Sequence, residues 1–177
     1  MKSDFLEKYE PFHEPFVRYC SSRAFGWMEA EDLVQEAVLA ALENYNRLAD
    51  KDKLLGYLIG IANNIIKNKH RRLKFKGEWD EQQIEQLESQ IQNPELALDI
   101  HFLLKAIEQL PEKQREALIL FEISGFSIRE ISKIQDSAEN ATKTRLSRAR
   151  QKLKTLLTED GRKMPLAQRL AIYASIL

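Results

Sequence analysis

Between Lys143 and Lys154 the chain places six cations, Lys143, Arg145, Arg148, Arg150, Lys152 and Lys154, with no acid among them. Ammonium and guanidinium groups at this density bind phosphates, and those that reach a groove donate to guanine. Lys143, Thr144, Ser147 and Arg148 stand at relative positions 0, 1, 4 and 5, two adjacent pairs one helical turn apart on one face. The hydroxyls of Thr144 and Ser147 can donate or accept, or the side chain can touch a thymine methyl. Leu146, Ala149 and Leu153, spaced by three and four, form the opposite, inward side. A second basic run holds Lys67, Lys69, Arg71, Arg72, Lys74 and Lys76, with His70 beside them and again no acid. From Glu78 to Asp99 the chain carries seven acids and neither Lys nor Arg. Total charge balances, 27 Lys plus Arg against 27 Asp plus Glu, so only this distribution argues for a nucleic-acid partner. Either basic run alone would also fit a solvated helix face.

Other chemistry is poorly supported. Glu31, Asp32 and Glu36, with Gln35, cluster on one short stretch, but no His or further acid completes a metal or acid–base constellation there. No enzyme activity, cofactor or metal is expected. The single cysteine, Cys20, cannot form an internal disulfide and reads as a small core residue. No run of about 18 apolar residues could span a membrane. The start, Met1 to Lys8, is charged throughout and has no signal-peptide core, so a cytoplasmic protein without membrane insertion is expected.

These residues need helices to position them. Glycine and proline are sparse, apolar residues recur at helical spacing, and no stretch alternates over strand length, which predicts an all-α chain. Helices are expected over about 4–22, with Pro11 and Pro15 kinking or breaking the first, then over 29–45 and 53–72. Residues 1–75 would form one small helical domain, 76–94 an acidic linker with a short helix near 82–90, and 95–157 a second domain. That second domain reads as helices over 95–109 and 112–123, stopped by Ser124-Gly125. Ser127-Ile128-Arg129-Glu130 then has capping-box spacing for a short helix over 128–135. Asp136 and Ser137 offer caps for a long basic helix over 138–157. A short helix, a tight turn and a longer cationic helix make a helix-turn-helix, whose second helix enters the major groove.

The segments Leu110 to Ala117, Gly125 to Ile131 and Arg145 to Leu153 closely resemble the C-terminal promoter-binding domain of the extracytoplasmic-function sigma factors of the sigma-70 family. Ala30-Glu31-Asp32-Leu33-Val34-Gln35-Glu36-Ala37 resembles that family's polymerase-binding helix, and Leu58 to Asn64, continuing to Arg72, its −10 recognition segment. The resemblance spans about 5–157 and leaves too short a linker for the extra domain of larger sigma factors. It implies a protein that joins core RNA polymerase and directs it to promoter DNA, held in check by an anti-sigma factor. Glu31, Asp32, Gln35 and Glu36 would dock against the polymerase clamp helices. Asn64 would read an unstacked base, Tyr57, where the family usually has Trp, would stack on it, and Lys67, Asn68, Arg71 and Arg72 would hold the opening strand at the −10 element. Tyr57 fits ordinary helix packing equally well. Lys143, Thr144, Arg145, Ser147 and Arg148 would contact the −35 element.

Where the family's turn usually reads Gly-Ile-Ser-Glu-Gly-Thr-Val, this chain has Asp136-Ser137-Ala138-Glu139-Asn140-Ala141-Thr142. Asp136 tolerates a left-handed conformation. Ser137 and Thr142 put hydroxyls where apolar packing is expected, which predicts a looser turn or an unusual −35 preference. The tail, 158–177, carries Leu166, Leu170, Tyr173 and Leu177 on one helical stripe, fitting either packing on the second domain or docking to a regulator. A polymerase-independent helix-turn-helix regulator is the competing function, but it has no use for the Asp32 to Glu36 helix.

Overall fold

A computed structural model of the chain describes residues 2–73, 79–158 and 164–177, and the side chains of 4–72, 85–158 and 164–177. All regular structure among them is helical, and the chain separates into two compact units, 1–79 and 80–177. No helix among the described residues is long and apolar enough to cross a membrane.

In the first unit, α1 (Lys2–Tyr9) stops before Pro11, which sits in a single 3₁₀ turn, Glu10–Phe12. The chain restarts as α2 (His13–Ala24), with Pro15 in its first turn, where a missing N–H costs nothing. The expected break is therefore at Pro11 alone. α3 (Ala30–Asn44) and α4 (Leu54–Leu73) pack with α2 into a bundle. Phe16, Tyr19 and Cys20 of α2, Leu33, Ala37 and Ala41 of α3, and Leu58, Ala62 and Ile66 of α4 are buried. Burial pushes the Cys20 thiol well above its ordinary range, so it stays an unreactive core side chain. Tyr45, past the end of α3, packs edge-on to Phe5 and donates its hydroxyl to Asp4 at 2.9 Å. Lys51 joins the same carboxylate at 2.9 Å and holds its pKa below the usual range, tying α1 to the start of α4.

The second unit begins with α5 (Trp79–Gln90), whose Leu87, like the following Ile91, is buried. Asn93-Pro94, where the next helix is expected to begin, opens α6 (Pro94–Glu108). The Asn93 side chain accepts from the N–H groups of Glu95 and Leu96 at 3.0 and 3.4 Å. α6 buries Ala97, Ile100, Leu103, Ala106 and Ile107, together with Asp99 and His101. α7 (Glu112–Leu118) follows Pro111 and widens into a π turn over Ile119–Ile123, where the Ser124 N–H reaches the Ile119 carbonyl at 3.0 Å. The sequence pattern reads one uninterrupted helix to 123. The π turn is invisible to it because one extra residue barely disturbs the apolar spacing. Gly125, at φ 79°, supplies the expected stop. α8 (Ile128–Ile134) and α9 (Glu139–Thr158) follow, and α10 (Leu166–Ile176) packs on α6, the π turn and α9 through Leu170 and Tyr173. The tail is thus part of the second unit's core.

Candidate nucleic-acid interface

α3 buries Leu33, Ala37 and Ala41 and leaves Glu31, Asp32, Gln35 and Glu36 exposed. Glu31 and Asp32 lie in its first turn, where carboxylates favour the helix dipole by about 0.3–1 kcal/mol. Local helix physics therefore accounts for part of their placement. Gln35 and Glu36 lie beyond that turn and owe nothing to it. Leu39, seven residues after Asp32 and on the same side, is 57% exposed. The sequence reading passed over it because a leucine in an apolar-rich helix looks like core; only the burial pattern separates it. Leu39 adds an exposed apolar side chain beside the acidic face.

α4 turns Leu54, Leu58, Ile59, Ala62 and Ile66 inward and exposes Asn64, Lys67, Asn68, Arg71 and Arg72. Spacings of three and four set these five on one stripe. Tyr57 lies half-buried at its upper end. The Asn68 side chain accepts from the Arg71 guanidinium at 3.4 Å, a weak brace on one cation of the stripe. The basic run is less uniform than its letters imply. His70 turns aside to stack on Trp27, centroids 3.5 Å apart and planes 27° from parallel. Lys74 and Lys76 lie outside the described residues. Beside the stripe, Asn63 accepts from the buried Tyr19 hydroxyl at 2.7 Å, which fixes α2 to the middle of α4.

In the second unit the capping box forms as expected: the Ser127 N–H donates to Glu130 Oε2 at 2.8 Å, and the Glu130 N–H donates to Ser127 Oγ at 3.3 Å. α8 ends in a paired motif. The Asp136 N–H reaches the Lys133 carbonyl at 3.3 Å, and the Ser137 N–H the Ser132 carbonyl at 2.9 Å, with Asp136 at φ 47°. Asp136 therefore takes the left-handed position usually given to glycine. The expectation that Asp136 and Ser137 cap the long helix fails. α9 starts at Glu139, and it is the Ala138 carbonyl that accepts the first helical bond, from the Thr142 N–H at 3.1 Å.

Nor is the turn loose. The buried Gln135 amide donates to the Lys113 carbonyl at 3.0 Å and to Glu116 at 2.7 Å. Arg145 closes the network by donating to Gln135 Oε1 at 2.7 Å and to Ser137 Oγ at 2.9 Å. α7, α8 and α9 are joined through one glutamine. Thr142 is fully buried, with its hydroxyl 3.3 Å from Ser137 Oγ and 3.5 Å from the Ala138 carbonyl. Side-chain hydrogen bonds replace the apolar packing expected of this turn.

These contacts divide the cations of α9. Arg145 is committed to the turn. Arg150 pairs with Glu122 at 2.7 Å and covers the Phe121 ring, and Lys152 donates to the Gln109 carbonyl at 3.0 Å. Lys143, Ser147 and Arg148 face solvent, as does Thr144, whose hydroxyl donates to the Asn140 carbonyl at 2.9 Å and keeps its lone pairs and methyl uncommitted. The outward face of α9 is thus narrower than the run of cations, and Arg145 supports it from behind.

Asp136 offers a direct test of this geometry. A non-glycine residue in the left-handed region costs about 1–2 kcal/mol, so Asp136→Gly is expected to raise the melting temperature of the second unit by several degrees. Equal or lower stability on thermal denaturation would show that the aspartate stabilises the turn in some further way.

Comparison with known proteins agrees with this architecture. The sigma-70 region 2 family model matches residues 9–75, the first unit, and the sigma-70 region 4 model matches 103–153, which contains the helix-turn-helix. The ECF RNA polymerase sigma factor EcfG of Rhodopseudomonas palustris is 36% identical over 133 residues, covering 75% of this chain and 73% of its own length. The RNA polymerase sigma factor SigZ of Bacillus subtilis is 29% identical over 156 residues, 84% of each chain. In fold the chain resembles the sigma factor RpoE of Bartonella quintana, solved with the anti-sigma factor NepR, at TM-score 0.56 and 24% identity over 88% of this chain and 97% of that one. The chain belongs to the extracytoplasmic-function sigma factors of the sigma-70 family.

Proposed function

We propose that this sigma factor brings core RNA polymerase to its promoters by dividing the task between its two units. Residues 1–75 dock the polymerase through Glu31, Asp32, Gln35 and Glu36, and engage the melted −10 element through Tyr57, Asn64, Lys67, Asn68, Arg71 and Arg72. Residues 95–157 read the −35 element through Lys143, Thr144, Ser147 and Arg148, with Arg145 holding the recognition helix in place. α5 and α10 belong to this second unit and complete it. The protein acts in the cytoplasm and catalyses no step itself. It positions DNA on an enzyme supplied by the polymerase.

One observation carries this reading. The same small bundle exposes an acidic face on α3 and a cationic, amide-bearing stripe on α4, while a separate unit carries the helix-turn-helix. A polymerase-independent regulator needs only the last of these. RpoE of Bartonella quintana is held by an anti-sigma factor, and a regulator of that class is inferred for this chain as well.

Run-off transcription from a genomic library, with purified core polymerase and with or without this protein, tests the proposal. A set of promoter-specific transcripts that depend on the protein is expected. Core enzyme that gains no promoter specificity would overturn the reading.

A further inference from the structure

Gly60 sits in the interior of the 20-residue helix α4, six residues from its start. A glycine there costs about 0.5–1 kcal/mol relative to alanine, so an internal glycine normally answers to a structural need. None is met here. Gly60 is absent from the residues with positive φ, it is exposed, and a Cβ built on it would meet nothing within 4 Å. The fold does not ask for this glycine.

Its surroundings on the helix do. At about 100° per residue, Gly60 faces within about 40° of Asn64 and about 20° of Lys67 and Arg71, with Tyr57 about 60° to one side. It therefore lies within the stripe proposed to take the −10 strand, toward its Lys67 edge, and along the helix axis between the aromatic ring and the base-reading amide. Missing side chains allow a ligand to reach the helix backbone itself.

We propose that Gly60 is the floor of the promoter-strand site: an unpaired nucleotide crosses α4 there, its base against the Tyr57 ring and its edge toward Asn64, while Lys67 and Arg71 take the flanking phosphates. A methyl at position 60 lifts the strand off the helix and weakens the base contact. The proposal rests on the −10 assignment made above and adds to it the residue that sets the approach distance.

The test uses the full chain with Gly60→Ala. Thermal melting is expected to rise by a few degrees, since the methyl enters open space and removes a helix penalty. Affinity for core polymerase and for a −35 duplex is expected to stay unchanged. Binding of the reconstituted holoenzyme to a single-stranded oligonucleotide carrying the −10 element selected by the wild-type protein is expected to fall by about tenfold, the scale of one weakened base stack. Gly60→Leu should bind more weakly still. A Gly60→Ala protein that is more stable and binds the oligonucleotide normally overturns the proposal, as does one whose loss is in core affinity or in stability. Failure of the underlying assignment is separately visible, because Asn64→Ala would then leave oligonucleotide binding intact in the wild-type background.

Discussion

Glu36→Lys is expected to lower affinity for core RNA polymerase by more than tenfold while leaving the melting temperature and −35 duplex binding unchanged. Glu36 is exposed on α3 and lies past the first turn, so its charge does not support the helix as those of Glu31 and Asp32 do. Lysine and glutamate have similar helix propensities, so the exchange does not perturb α3 itself. What changes is the sign of the face proposed to dock the polymerase. Close charge pairs at protein interfaces couple by about 1.5–7 kcal/mol, and about 1.4 kcal/mol is tenfold in affinity. Reversal adds repulsion to the loss of the pair. Unchanged polymerase affinity in a pull-down or fluorescence titration, with the protein folded, would remove the docking role of this face and favour the polymerase-independent regulator. Asp32→Lys is a poorer probe, since it also opposes the helix dipole.

The second large effect separates two arginines three residues apart on α9. Arg145→Ala is expected to destabilise the second unit by about 2–3 kcal/mol, because it removes two hydrogen bonds from a charged, half-buried donor and strands the Gln135 carbonyl oxygen. Its loss of −35 binding should follow the loss of folded α9 and be restored at lower temperature. Arg148→Ala removes the same charge from an exposed position, and its stability should stay within about 0.5 kcal/mol of wild type. Its −35 affinity should nevertheless fall by about 1–3 kcal/mol if Arg148 reads a base. A phosphate contact would instead reduce the salt dependence by about one ion. Calorimetry and duplex titration on both variants decide the matter: if Arg145→Ala melts like wild type and binds poorly, the arginine contacts DNA and the turn does not depend on it.

Much of this organisation was legible in the residues. Leu33, Ala37 and Ala41, and Leu58, Ala62 and Ile66, repeat at helical spacing because a helix in a small bundle must bury one stripe, and such stripes survive in one dimension. Ser127 and Glu130 announce a helix start because a capping box needs only partners three residues apart. That Asp136 tolerates a left-handed conformation was readable from its residue type; that it adopts one was not. The acidic face of α3 and the stripe from Asn64 to Arg72 were likewise set out by spacing, with the family pattern assigning their partners.

What the basic helix does with each cation was not legible. The run from Lys143 to Lys154 reads as six equal charges, and only the fold brings Gln135 and Ser137 to Arg145, Glu122 to Arg150 and the Gln109 carbonyl to Lys152. These partners lie 8 to 43 residues away in sequence. The exposure of Gly60 and Leu39 is of the same kind, whereas the apolar stripe of the tail was legible and the fold decided between its two readings by burying Leu170 and Tyr173. Sequence determined most of the helices, the capping box at Ser127 and the places where charge accumulates, because those depend on neighbours within one or two turns. Tertiary structure decided which charges bind inward and which remain exposed, because a side chain's partner is set by packing between helices that local spacing does not encode.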